Sequence, residues 1–173
     1  MIIGLQLFLW TLSGLIFAWI PIEEVRGETL LKEDQPQLHL ESAADAIAAA
    51  QQALIQPAEI NGAELIHQAP NEYRGGPLPA WRVDFEDAVT LYLDPETAKV
   101  NAVRSTKWRI FDFFWMLHIM DYDERDDFNN PLLIIAAAFG VVTSATGLLL
   151  AFVVYKNRLS RRRPAPEGSA KTD

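Results

Sequence analysis

His118 is the side chain with the clearest chemical potential in this sequence. It lies in the run WRIFDFFWMLHIM, residues 108–120, which holds two Trp and three Phe. A histidine near a membrane surface can ligate haem iron through a ring nitrogen, or can simply hydrogen-bond a carboxylate or a headgroup. Bis-histidine haem needs two ligands. The other histidines, His39 and His67, fall in segments expected to lie away from the membrane, so a haem here would need a second protomer or another subunit. A second cluster, DYDERDDFNN at residues 121–130, offers Asp121, Asp123, Glu124, Asp126 and Asp127. Grouped carboxylates can hold Ca²⁺ or Mg²⁺. The EF-hand spacing fails, because Arg125 stands at the fifth position, Asp126 replaces the glycine and Leu132 replaces the closing Glu. That leaves a solvated acidic connector or a weak site for a cation or cationic partner, and such charge marks the water side of an interface. No G-x-S-x-G, H-E-x-x-H or P-loop is present. The absence of cysteine excludes disulfides, thiolate metal sites and Cys nucleophiles. The expectation is a protein that is not an enzyme, with no catalytic residues and no metal site.

The elements that must position these residues begin with two apolar runs. Residues 1–20 and 131–155 contain no charged side chain, and each reaches the ~20 residues needed to cross hydrocarbon. Residues 1–20 lack a basic n-region and an A-x-A-like cleavage site, which favours an anchor helix over a cleaved signal peptide. Lys156, Arg158, Arg161, Arg162 and Arg163 follow the second run. By the positive-inside rule they place residues 156–173 in the cytoplasm; attraction to lipid headgroups is a secondary role. Two spans then put both termini in the cytoplasm and residues 21–130 outside, as in a bacterial inner membrane with a periplasmic domain. Residues 164–173 read as a polar disordered tail. Two ridges of small residues recur at four-residue spacing, Ala136/Gly140/Ser144 and Thr143/Gly147/Ala151. Such ridges let helices approach closely, either span against span or against a second copy or partner. The run at 107–120 is too short to span and reads as an interfacial helix, with its aromatic rings at headgroup level. An aromatic surface for a partner protein is the alternative. Arg109 and Asp112, three apart, could pair on its wet side.

Between these lies a polar middle. Residues 21–107 carry 15 acidic and 7 basic side chains, a balance that argues against nucleic-acid binding. Residues 21–39 show no period and read as a linker. Ser42 and Asp45 fit a capping box opening a helix whose stripe is Leu40, Ile47 and Leu54 with alanines between, stopped by Pro57. Asn61-Gly62 reads as a turn before a short strand at 63–68, and residues 71–79 as a loop. Trp81, Val83 and Phe85 alternate with polar residues, as do Val89, Leu91 and Leu93, giving two half-buried strands joined by a hairpin at Asp87-Ala88. Asp94-Pro95-Glu96-Thr97 is a turn in which Pro presets φ and Asp caps its own backbone. Residues 99–104 form the next strand. One helix on a small antiparallel sheet is an α+β layer.

The helix ADAIAAAQQAL, the strand AWRVDFED and the turn LYLDPETAKV resemble a PepSY domain over about residues 40–105. Ala98 stands where that family usually has Gly. WMLHIMD followed by the Gly- and Thr-Gly-containing second span is similar to a PepSY-associated transmembrane region. The resemblance implies an α+β membrane protein with a PepSY-like helix-on-sheet domain between two transmembrane helices. It also implies periplasmic binding and regulation of a membrane or periplasmic protein partner, or of a homodimer. Some members of the family are linked with ferric-siderophore reduction and iron uptake and use His as haem ligands, which makes a b-type haem on His118 the alternative. Others inhibit proteases, which gives a third reading. Fold analogy alone does not decide among these.

Overall fold

The structure is a computed structural model that describes residues 2–56 and 58–161. It opens with α1 (Ile2–Trp19), an apolar helix of 18 residues and so about 27 Å long. Residues 21–39, expected to be an unpatterned linker, are folded. They carry α2 (Ile22–Arg26) and a 3-10 turn at Glu28–Leu30. Gly27 closes α2 with φ of 73°, and a Cβ there would overlap the Val103 side chain, so only glycine lets this turn lie against the sheet. Leu31 then bridges Leu54, and the Gln35 side chain accepts from the Val100 N–H at 2.9 Å. Tertiary contacts of both backbone and side chains, rather than a local periodic pattern, fix the path of this stretch, which is why periodicity missed it.

Ser42 caps α3 (Ala43–Ala53) through the expected capping box with Asp45. The buried face differs from the expected Leu40/Ile47/Leu54 stripe. Leu40 and Leu54 are buried, but the helix itself packs through Ala46, Ala49, Ala50 and Ala53, while Ile47 is half-exposed. Alanines bring the helix axis close to the sheet, and the volume is filled from the sheet side by Trp81, Val83, Phe85, Leu91 and Leu93.

The sheet is an antiparallel meander in the order β1 (Ile60–Ile66), β2 (Ala80–Phe85), β3 (Thr90–Leu93) and β4 (Val100–Arg104). Asn61-Gly62 is not a turn but lies inside β1, where the register with β2 shifts between Ile60 and Gly62. A bulge absorbs the extra residue there. The Asp94 turn forms as expected, with Asp94 Oδ1 accepting from the backbone N–H groups of Glu96 (2.8 Å) and Thr97 (3.1 Å). Ala98 occupies the left-handed region at φ 57° and is fully buried, so the backbone keeps the shape that glycine would favour.

The chain continues into α4 (Thr106–Ile119) and α5 (Pro131–Arg161). Among the described residues, α5 alone is long and apolar enough to cross a membrane, over Pro131–Leu159; α1 belongs with the shorter apolar helices. α5 runs on through Lys156 and Arg158 to Arg161, past the expected end at residue 155. Arg162, Arg163 and the tail at 164–173 lie outside the described residues, as does Pro57. The two small-residue ridges are used differently. A Cβ on Gly140 would lie 3.5 Å from the Trp10 ring and 3.9 Å from Leu7, whereas one on Gly147 would meet nothing within 4 Å.

Candidate functional site

Strand alternation gives the sheet two faces, and α3 covers only one. On the other face the out-of-phase residues Arg82, Thr90, Tyr92 and Arg104 meet across the strands. Arg82 pairs with Glu64 at 3.2 Å and with Asp84 at 3.1 Å, and Thr90 donates to Asp84 at 2.7 Å. The loop at 71–79 folds back over this face. Tyr73 stacks on Tyr92 with ring centroids 4.1 Å apart, and a Cβ on Gly76 would overlap the Tyr73 ring. The Tyr92 hydroxyl donates to Glu72 at 2.9 Å. Burial, and then that carboxylate, raise the Tyr92 phenol above its ordinary 10.0, so it remains a donor.

α4 closes the arrangement. Its N-terminus is capped by Ser105. Arg109 reaches Glu72 at 2.9 Å, together with the Ala88 carbonyl. Arg109 and Asp112 do not pair with each other as the three-residue spacing suggested. Asp112 is buried and holds two other guanidiniums, Arg74 at 2.5 Å and Arg125. The partners come from the folded-back loop and from the acidic connector, so each charge finds a partner better placed than its helix neighbour. Lys107 pairs with Glu24 of α2. Together these contacts form an ion-paired seam joining the sheet to α4.

Beside the seam, α2, β4 and α4 enclose an open groove of about 610 Å³. Ile22, Phe111 and Trp115 supply apolar walls, and Arg26, Arg74 and Arg104 supply positive charge. The Arg104 guanidinium lies 4.2 Å from the centroid of the Trp108 ring, a cation–π geometry. Two of its donors go to the backbone carbonyls of Glu72 and Val103, and burial lowers its pKa from the ordinary arginine value.

His118 lies on the side of α4 that meets α1. Its Nδ1 is 2.7 Å from Ser13 Oγ. Ser13 Oγ also lies 3.0 Å from the Trp10 carbonyl, so it sits between that carbonyl and the His118 ring, and either imidazole tautomer can meet the contact. Trp10 returns a bond to the His118 carbonyl at 2.9 Å, and Phe17 meets the ring edge-on at 5.4 Å. His118 therefore joins two helices. His39 is exposed and 3.2 Å from Glu96, and His67 is exposed beyond the end of β1. Neither joins His118 in the described helix packing, and among the described residues no group of His, Cys, Asp or Glu is arranged to hold a metal. In the acidic connector Asp121 instead accepts backbone N–H groups from Asp123, Asp126 and Asp127. These bonds hold it below its ordinary 3.8.

The sequence reading placed Arg109, Asp112 and His118 on one aromatic helix but missed Glu72, Arg74, Tyr92 and Arg104. The available signal was strand phase. A tyrosine among the polar-phase positions indicates a face that is covered rather than solvated.

A family model described as PepSY-associated TM region matches residues 1–171. No curated protein and no solved structure matches the chain.

Proposed function

The chain belongs to the PepSY-associated TM region family, and on that premise we propose a two-pass inner-membrane protein that is not an enzyme. Its PepSY-like domain faces the periplasm and binds or regulates a membrane or periplasmic protein partner. The observation that carries this reading is the ion-paired seam. Glu72–Arg109 and Arg74–Asp112–Arg125 fasten the sheet to α4, and α4 packs along α1 through Phe17, Trp10 and Ser13. A domain fixed to its membrane helices can pass a binding event to the bilayer side, which a domain on a free linker cannot do. Ile110 and Phe113 of α4 remain about half exposed, at 45% and 50%, beside the seam.

The test is a photo-crosslinking residue at Ile110 in native membranes. A discrete adduct that disappears in Asp112→Ala, with insertion unchanged, supports the reading. No adduct, or one indifferent to Asp112→Ala, overturns it. A reporter fused after Asp173 should read as cytoplasmic; a periplasmic reading overturns the topology.

A second reading, a haem-binding accessory of a ferric-reducing or iron-uptake system, is favoured by one observation. Ser13 Oγ engages His118 Nδ1 at 2.7 Å, while Nε2 has no hydrogen-bond partner among the described residues, and a ring held through one nitrogen can offer the other to a metal. The chain supplies one such ligand, so another chain must supply the second. Bound haem would supply one-electron transfer, and the chain's own contribution is to orient the His118 ring. A b-type absorption band that is lost in His118→Ala supports this reading, and a colourless protein from haem-supplied cells, with its partner subunits present, ends it.

A further inference from the structure

The groove between α2, β4 and α4 has chemistry that the seam leaves unused. Arg104 is a half-buried guanidinium that Glu72 contacts only through a backbone carbonyl. Among the described residues it has no ion-pair partner, and its Nη2 has no hydrogen-bond partner. Arg74 and Arg125 share the single carboxylate of Asp112, and Arg26 faces Glu28 at 3.6 Å. Along the groove itself three guanidiniums, Arg26, Arg74 and Arg104, meet two carboxylates, Glu28 and Asp112, in a chain whose net charge is −8.

A positive groove in an acidic surround repels soluble anions on approach. An anion arriving through the plane of the bilayer avoids that field. The groove's apolar wall runs into the helix packing at α1: Ile22 lies three residues past the end of α1, and the wall residues Phe111 and Trp115 pack on Phe17 of α1.

We propose that this groove binds an anionic phospholipid, its phosphate on Arg104 and Arg74 and its upper acyl chains on Ile22, Phe111 and Trp115. The unpartnered Arg104 Nη2 can donate a charge-assisted hydrogen bond to a phosphate oxygen. Its stacking on Trp108 presents the charge without the mobility of an exposed arginine, and the volume falls in the range of small-ligand sites. The inference rests on α4 lying at the bilayer surface.

The experiment titrates the full chain in neutral detergent micelles with phosphatidylglycerol, phosphatidylcholine or sn-glycerol 3-phosphate, and counts bound lipid by native mass spectrometry. Phosphatidylglycerol should bind at least about tenfold more tightly than either comparator, because the choline cation of phosphatidylcholine is repelled by the arginines and glycerol phosphate lacks the acyl chains that meet Ile22, Phe111 and Trp115. Arg104→Met should remove that preference and leave phosphatidylcholine unaffected. Ile22→Glu places a carboxylate at the exposed lip without touching Arg104 and should do the same, and near-UV circular dichroism checks the fold of both variants. Equal binding of the two lipids overturns the proposal, as does a preference that survives both substitutions. Glycerol phosphate binding as tightly as phosphatidylglycerol overturns the lipid assignment in favour of a soluble-anion site. Micelle binding does not depend on the number of spans, so its failure would leave the reporter-fusion result standing.

Discussion

The two faces of the sheet solve the same burial problem with opposite chemistry. Under α3, Trp81, Val83, Phe85, Leu91 and Leu93 pack against four alanines, and the only polar requirement in sight is the Trp81 indole, which donates to the Leu40 carbonyl at 3.3 Å. Under the 71–79 loop and α4, the cover is built from Tyr73 on Tyr92, Glu72 on Arg109, and Asp112 between two arginines. An apolar face is non-directional and gains from every contact. A charged face gains only while its geometry is satisfied, and losing one partner exposes the full desolvation penalty of the other. The first face therefore makes the domain stable, and the second makes its attachment to α4 conditional.

The strongest way to separate the two is Phe85→Ala, expected to remove ~3–5 kcal/mol, the usual cost of emptying a buried phenylalanine site. Urea unfolding of the full chain should show one lowered midpoint for the whole domain. Asp112→Ala comes next. A fully buried pair broken on one side costs ~3–5 kcal/mol. Arg74 and Arg125 keep 28% and 25% side-chain exposure, so ~2–3 kcal/mol is expected here after solvent screening. Its signature should differ: the connector becomes accessible to trypsin at Arg125 while the sheet retains its unfolding midpoint. If Asp112→Ala lowers that midpoint as much as Phe85→Ala does, the two faces are one cooperative unit and the comparison fails.

The same contrast explains what could be read from the residues alone. The strand side of the apolar face and the start of α3 were legible, because strand alternation at 81–93 and the Ser42/Asp45 box are local patterns that local physics enforces, whereas the alanine face that α3 buries was not. The Asp94 turn was legible for the same reason. The charged seam was not. Arg74 and Asp112 are 38 positions apart and meet only because a Gly- and Pro-rich loop folds back over the sheet, a path with no periodicity to detect. The short helix at Ile22–Arg26 was lost for a related reason: it is held by Gly27 against Val103 and by the Lys107–Glu24 pair, both tertiary contacts. His118 was legible as an unusual residue but not as a joint, since Ser13 is 105 positions away.

A smaller substitution tests whether the charged face is a network or a set of independent pairs. Tyr92→Phe removes the donor to Glu72 and keeps the stack on Tyr73. Loss of one hydrogen bond to a charged group predicts ~1.5 kcal/mol or somewhat more, read by urea unfolding. A double-mutant cycle with Arg109→Met should give clear coupling, because both groups bind the same carboxylate. Additive effects would make the seam a collection of pairs.

Acid should loosen the chain at sites outside both faces. The Ser42 hydrogen bonds hold Asp45 below its ordinary 3.8, and backbone N–H groups do the same for Asp121. A carboxylate with a depressed folded-state pKa adds stability that is present above the unfolded value and lost as pH falls through the folded one. Amide exchange at the start of α3 and in the connector should therefore rise below about pH 3.8. Asp45→Asn should flatten the response in α3 alone. A response unchanged by Asp45→Asn would assign the acid sensitivity elsewhere.

The smallest effect belongs to Ala98, where the resemblance to a PepSY domain implies a glycine. At φ 57° an alanine side chain meets its own carbonyl, a strain of ~1–2 kcal/mol that glycine would relieve. Against that, Ala98 is fully buried in the apolar core. Removing its methyl forfeits ~0.8 kcal/mol of burial, and the freer unfolded chain of a glycine variant costs about 0.4–1 kcal/mol more. The terms nearly cancel, so Ala98→Gly should shift the urea midpoint by less than the equivalent of ~0.5 kcal/mol. A clear stabilisation would mean that the methyl packs poorly and the apolar face carries stored backbone strain. A clear loss would mean that the methyl is integral to the packing beneath α3, and that this turn exchanged conformational ease for core volume.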